Sequence, residues 1–337
     1  MRPEARGKIL MNGIVVKPEA AAVRLVWERC DELAPGPGEV LLNVAAAGVN
    51  RADLLQAVGK YPPPAGASTI LGLEAAGTIA KLGAGVKGWG LGDRVMALLV
   101  GGAYAEQVIV PEAQLIPIPD SMSFIEAAAI PEAFITAYLN IVIEGRLRQG
   151  ESVLIHAGAS GVGAAAIQLV KLLGADAICT VGSDRKADFC RQLGSSLVIN
   201  YKHTPEFVQP ILAERNGRGV DIILDCIGGS YLKRNIDLLA VGGRMVSIGL
   251  LGGRMGELDM AMLLSKRLEL KGSTLRNRPA AEKARLTASF CAELLPRFQA
   301  GELRATVDRT FPITEADAAH RYMMENLNIG KIVLTVS

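Results

Sequence analysis

The spacing of apolar residues changes twice along the chain. Up to about residue 132 they fall in short runs separated by Gly and Pro; Gly-Glu-Val-Leu-Leu-Asn-Val (38–44) and the stretches 74–82 and 93–99 predict β-strands. Met11 begins the first strand-like run. Tyr-Pro-Pro-Pro-Ala-Gly (61–66) predicts a shaped loop, because its prolines lack N–H donors and fix φ.

From about 133 to 272, strands alternate with longer amphipathic segments. Strands are predicted at 152–156, 177–181, 197–200, 221–225, 243–248 and 268–271, with helices at 161–173, 183–193, 206–215 and 232–239. Such alternation implies right-handed crossovers and a doubly wound parallel sheet. The remainder, 273–337, predicts helices near 281–298 and 315–325 and a strand at 330–334. The expected fold class is therefore α/β: a Rossmann domain over 133–272, and a β-rich domain made of 1–132 and 273–337 together.

Composition narrows the function classes. A chain of 337 residues exceeds what one core usually serves, which agrees with two domains. With 36 basic and 34 acidic residues the net charge is +2, so no field exists to attract nucleic acid or an anionic membrane. No apolar stretch is expected to approach bilayer length. Met1–Lys8 carries charges of both signs, lacks a signal-type apolar region, and is expected to be a short extension. Five separated cysteines without a C-x-x-C pair are expected to be buried reduced thiols of a cytoplasmic protein, and exclude a four-thiolate zinc lobe.

The strongest chemical signal lies at 152–169, Ser-Val-Leu-Ile-His-Ala-Gly-Ala-Ser-Gly-Val-Gly-Ala-Ala-Ala-Ile-Gln-Leu. A buried strand runs into a turn containing Ser160, Gly161, Val162 and Gly163, and then into a helix. Gly161 allows close approach of a pyrophosphate, Gly163 lets helix and strand pack closely, and the first amides of the helix face the negative charge. About 20 residues on, an NAD enzyme usually carries Asp or Glu to hold the ribose 2′-hydroxyl. Here Gly182 and Ser183 leave room for a phosphate, Ser183 can donate to it and Lys186 supplies positive charge. The cofactor predicted is NADPH. Asp184 would repel the phosphate if turned inward, but the helix dipole accounts for an acid in the first turn. Ser183 is also a good N-cap, and Lys186 also reads as a solvated helix charge.

Residues 50–54 (Asn-Arg-Ala-Asp-Leu), 61–68, 70–77 (Ile-Leu-Gly-Leu-Glu-Ala-Ala-Gly), 127–133, 153–163, 223–231 and 328–334 together carry a family resemblance. The chain resembles the zeta-crystallin-like quinone oxidoreductases of the zinc-free medium-chain dehydrogenase/reductase superfamily, most of all the tumour-suppressor-inducible quinone oxidoreductase branch. The resemblance implies a GroES-like catalytic domain beside the Rossmann domain, an active site in the cleft between them, and a homodimer paired through the Rossmann sheets. By matching position it places Asn50, Tyr61 and Thr136 near nicotinamide and substrate, and Ser183, Lys186 and Tyr201 around the adenosine 2′-phosphate. It also implies that Ile227, Gly249, Leu250 and Asn328 approach the cofactor. Arg276 and Arg278 are candidates to border the cleft, with solvated charges as the leading reading.

Zinc-dependent members of that superfamily carry Cys where this chain has Asn50 and His where it has Leu73. Ala52 replaces the hydroxyl residue that relays the alcohol proton. Neither an amide nor an isobutyl group supplies the donors that catalytic zinc requires, so no metal is expected. His156, His203 and His320 are scattered, and His156 reads as packed.

Without a Lewis acid, an acceptor already polarised by conjugation is the natural substrate. Direct hydride transfer to a quinone is the leading expectation. Reduction of other activated double bonds (2-alkenals, enones) is an alternative, and a structural or regulatory NADPH-binding protein another. Tyr61 is the candidate proton donor and stacking surface, with bulk water as the competing proton source; Asn50 is the candidate amide donor. A Tyr61 braced by its prolines and an Asn50 that only braces backbone are the competing readings.

Overall fold

The computed structural model describes residues 10–19 and 23–336, so the extension expected at Met1–Lys8 lies outside the described residues. Two compact units emerge. One comprises the described parts of Met1–Glu132, Arg276–Gln299 and Val307–Ser337; the other comprises Ala133–Leu275 and Ala300–Thr306.

The second unit is built on six parallel strands. Across the sheet they run Leu197–Asn200, Asp176–Val181, Ser152–His156, Val220–Asp225, Leu239–Ser247 and Glu269–Gly272. Counted along the chain this order is 3-2-1-4-5-6, the dinucleotide-binding arrangement, with its switch point beside Ser152–His156. All five residues of that strand are buried, which explains its unbroken apolar character. Helix Asp184–Leu193 begins on Ser183, whose side chain accepts the Lys186 N–H, and ends on Gly194 with φ 111°. A short helix at Met260–Ser265, not expected from the sequence, is capped by the Asp259 carboxylate. Along this stretch Val241, Leu250, Leu251, Met255, Met260 and Leu264 are exposed.

In the first unit, the hairpin Leu10–Pro18/Val23–Asp31 forms its own two-stranded sheet. The main sheet centres on Glu39–Val49, which pairs with Glu74–Leu82 and Gln107–Pro111. Lys331–Thr335 pairs antiparallel to the same strand, Ile332 opposite Val49, so the end of the chain completes the sheet begun at residue 39. Val40, Leu42, Leu71, Tyr104, Ile332 and Leu334 share its core. Residues 61–66 form a loop, as the prolines require.

Two expectations need correction. A helical run does reach bilayer length: Phe124–Glu144 spans 21 residues with mean hydropathy 1.3, and 78% of its apolar window is buried inside the protein. Glu126, Pro131 and Glu132 interrupt it in the sequence and hide its length. Of the five cysteines, none in a disulfide among the described residues, only Cys179 and Cys190 are buried; Cys30, Cys226 and Cys291 keep partial exposure.

Candidate functional site

In the second unit the glycine-rich turn is shaped by sterics. Ala157 holds φ 54°, a left-handed conformation that starts the turn. A Cβ on Gly163 would lie 2.5 Å from the Ala157 carbonyl oxygen and 2.6 Å from that of Gly158, so only glycine fits. Ser160 caps the helix Gly161–Leu172, its Oγ accepting the Gly163 N–H at 3.0 Å. The amides of Gly161 and Val162, in the first turn, have no acceptor within the helix. This end of the helix can receive a pyrophosphate.

At the end of the next strand, a Cβ on Gly182 would lie 2.4 Å from the Tyr201 hydroxyl oxygen. The phenol therefore lies over Gly182, close to where an NAD enzyme carries its acid. Ser183 accepts the backbone N–H of the partly buried Lys186 at 3.3 Å. The Asp184 carboxylate accepts from Asn200 Nδ2 at 2.8 Å and pairs with His203 Nε2 at 3.2 Å, on either side of Tyr201 in the sequence, and these bonds hold it below the usual carboxylate range.

The remaining loops meet through backbone bonds. Asp225, buried at the end of its strand, accepts from the amides of Ile227 and Gly228 and from the Ser247 hydroxyl. Leu251 N–H and Gly252 N–H bond the carbonyls of Cys226 and Ile227, and a Cβ on Gly249 would come 3.0 Å from the Cys226 oxygen. Ile227, Gly249 and Leu250 thus occupy paired loops beyond the strand ends. Asp225 was missed in the sequence; a lone acid ending an apolar strand before Gly-Gly is the signal for it. His156 is packed, bonding Thr180 Oγ1 at 2.9 Å and Asn235 Oδ1 at 2.8 Å.

Thr136 Oγ1 and Asn140 Oδ1 are buried without a hydrogen-bond partner among the described residues. Orphaned polar atoms one helical turn apart are costly unless a bound group satisfies them. The glycine turn and its helix start fit the pyrophosphate of a dinucleotide.

In the first unit a set of buried charges surrounds Asn50. Lys331 Nζ donates to the Val49 carbonyl at 2.9 Å, to Asn50 Oδ1 at 2.6 Å and to Glu74 Oε1 at 2.6 Å. Asn50 Nδ2 donates to the same Glu74 oxygen at 2.9 Å, while Glu74 Oε2 accepts the Glu132 N–H at 2.8 Å. Both edges of the Asn50 amide are committed, which favours the bracing reading over that of a donor to substrate. Asp53 accepts from the amides of Asn50 and Gly72 and from the Tyr104 hydroxyl, which also contacts His320 Nε2 at 3.2 Å. Burial pushes Asp53 up to about 6 and His320 down to about 4.

Arg276 is not a solvated charge. It is 4% exposed, donates to the Val100 carbonyl, the Tyr61 carbonyl and Gln56 Oε1, and lies 5.4 Å from the Tyr61 ring centroid. Arg278 pairs with Glu282 and is partly buried. Tyr61 itself is partly exposed, its phenol raised above the ordinary range by burial and then by Glu132, with Arg276 opposing. Asn328 is buried and donates to the Gly330 carbonyl, bracing the turn before the last strand. Leu73 packs in the core, 2% exposed, and among the described residues no group of three His, Cys, Asp or Glu is arranged to hold a metal.

Comparison with known proteins agrees with both units. Residues 36–120 match the alcohol dehydrogenase GroES-like domain and residues 161–290 the zinc-binding dehydrogenase family. The chain is 34% identical over 315 residues to the synaptic vesicle membrane protein VAT-1 homolog of Rattus norvegicus, covering 89% of this chain and 78% of the relative. It is 32% identical over 334 residues to a 2-haloacrylate reductase of Burkholderia sp, covering 96% and 99%. A quinone oxidoreductase of Pseudomonas syringae pv. Tomato DC3000 superposes with TM-score 0.85 at 28% identity, covering 96% and 99% of the two chains. A mycobacterial protein solved with NADPH superposes with TM-score 0.85 at 26% identity, covering 96% and 99%.

Proposed function

The chain belongs to the medium-chain dehydrogenase/reductase superfamily and is an oxidoreductase of its zinc-free type; within it, we propose an NADPH-dependent reductase of conjugated carbonyl acceptors, quinones foremost. The observation that carries this reading is the Lys331–Asn50–Glu74 lock beside the buried Leu73. An amide bound to an ammonium and an isobutyl side chain stand where zinc-dependent members place thiolate and imidazole. These side chains offer no Lewis acid, so an acceptor polarised by its own conjugation suits them.

NADPH, when bound in the second unit, would supply the hydride. The residues there orient it: Ser160 fixes the turn, Gly163 lets helix and strand close, and Thr136 and Asn140 offer unsatisfied polar atoms. Ser183, Lys186 and Tyr201 would recognise the 2′-phosphate, and the Tyr201 phenol lies over Gly182. Tyr61, held by Arg276, donates a proton to the reduced acceptor. Support for a second acceptor class, conjugated enoates and enones, comes from the relative named as a 2-haloacrylate reductase.

Steady-state NADPH oxidation against a panel of quinones, enones and 2-haloacrylate is the test. Quinones are expected to give the highest kcat/KM. Faster enone or enoate turnover selects the second class, and binding without turnover makes the protein a structural or regulatory one. Lys186→Ala is expected to weaken NADPH about tenfold, some 1.4 kcal/mol, and leave NADH unchanged; equal losses for both would remove Lys186 from phosphate recognition.

The proposal includes a homodimer. Glu269–Gly272 is an edge strand of its sheet, and Val241 and Leu264, 61% and 72% exposed, belong to the apolar stretch preceding it. Sedimentation equilibrium is expected to give twice the chain mass, and Leu264→Lys to shift it towards monomer. A monomeric wild type contradicts this.

A further inference from the structure

Two buried cations of the first unit lack an anion. Lys283, on the helix Ala280–Ser289, is 5% exposed, and its ammonium donates only to the Arg276 carbonyl, at 3.2 Å. Arg276, as deeply enclosed, commits its guanidinium to the neutral oxygens of Val100, Tyr61 and Gln56. Neither forms an ion pair among the described residues, in contrast to Lys331, which is closed on Glu74. The acids that face them are Glu132, on both, and Asp53, on Arg276; Arg276 also faces the Tyr61 phenol. Asp53 is occupied by two backbone amides and the Tyr104 hydroxyl. Burial and the Glu74 charge push Glu132 up to about 8, so at neutral pH it is mostly protonated and neutralises neither cation.

A second observation comes from the same helix. Thr287 lies one turn beyond Lys283 on the same buried face, and its hydroxyl has no hydrogen-bond partner among the described residues. An ammonium with two N–H groups unused stands beside a hydroxyl with none of its capacity used. Buried charges are stable when paired and buried donors when bonded, so the missing component is an acceptor of hydrogen bonds that carries negative charge.

We propose that Lys283, Thr287 and Arg276 form a binding site for a monovalent anion, filled during turnover by a carboxylate on the acceptor. A carboxylate and a small free anion such as chloride share the chemistry that these groups read: one negative charge, and lone pairs without a donor. Arg276 ties the site to the candidate proton donor, its guanidinium carbon 5.4 Å from the Tyr61 ring centroid. The acceptor's part in this rests on the reductase reading above, whereas anion binding itself does not. Lys283 and Thr287 are specificity residues here: no bond is made or broken at either.

Chloride and acetate are the probes, added to the full chain without cofactor. Each is expected to raise the thermal midpoint of the wild type by about 2–4 °C more than that of Lys283→Met. Thr287→Val keeps the charge and is expected to lose part of the rise. Each protein is compared with itself, with and without the anion, so any stability the substitution costs drops out. Equal shifts in wild type and Lys283→Met overturn the site.

Kinetics with NADPH identify the source of the anion. A quinone with a carboxylate on a side chain insulated from the ring is expected to show a KM about tenfold below that of its methyl ester. Lys283→Met is expected to bring the two values together. Equal KM values for acid and ester, in a wild type that chloride stabilises, overturn the acceptor's role and assign the site to a free anion. If neither compound is reduced while the midpoint shifts persist, the reductase reading has failed and the anion site stands.

Discussion

Gly163→Val is expected to weaken NADPH binding by at least about 100-fold, roughly 2.7 kcal/mol. In an ordinary helix, replacing glycine relieves its entropic cost and favours the helix by up to about 1 kcal/mol. Here the added Cβ would meet the carbonyl oxygens of Ala157 and Gly158 at 2.5 and 2.6 Å, and backbone cannot swing aside as a side chain can. The helix start must lift from the strand, carrying the amides of Gly161 and Val162 away from the pyrophosphate. Gly272→Ala is the control: it ends a strand of the same sheet, and a Cβ there meets nothing within 4 Å. Fluorescence titration of both variants decides. Near wild-type affinity in Gly163→Val contradicts the placement of the phosphate at this turn.

Lys331→Met is expected to destabilise the protein by about 3–5 kcal/mol, measured by chemical denaturation. The ammonium is 3% exposed and its partner Glu74 fully buried, so the variant leaves a carboxylate without its cation in a low-dielectric core. It also frees Asn50 Oδ1 and the Val49 carbonyl. Most of the cost is the stranded charge, not lost attraction, so Lys331→Met combined with Glu74→Leu should recover at least half of it. A single variant within about 1 kcal/mol of wild type would show that the pair contributes little.

Elements set by local pattern were the most legible in the sequence. Buried strands at 152–156 and 74–82, the helix opened by Ser160, and the Ser183 cap with the Gly194 stop all rest on a few neighbouring residues. The strand Val307–Pro312 was hidden because its alternation is mostly polar and exposed. The charged cluster was hidden for a different reason. Lys331 and Glu74 lie 257 positions apart, and a lysine at the edge of an apolar strand reads as an exposed end. Only the antiparallel register of Ile332 on Val49 brings it inside. Arg276 misled in the same way: in a polar stretch with a second arginine it looks solvated, whereas three oxygen acceptors far away in sequence enclose it. Glu132 did carry a signal, a glutamate after Ala-Ala-Ala-Ile-Pro and before Ala-Phe-Ile, although apolar spacing does not say which partners it meets.

The central proposal is a reduction driven by NADPH without a metal. The most direct measurement is NADPH oxidation with a quinone by protein stripped of metal with a strong chelator, with zinc quantified in the same sample. Unchanged turnover at substoichiometric zinc is the predicted result. Loss of turnover, restored in proportion to added zinc, would contradict the account at its base.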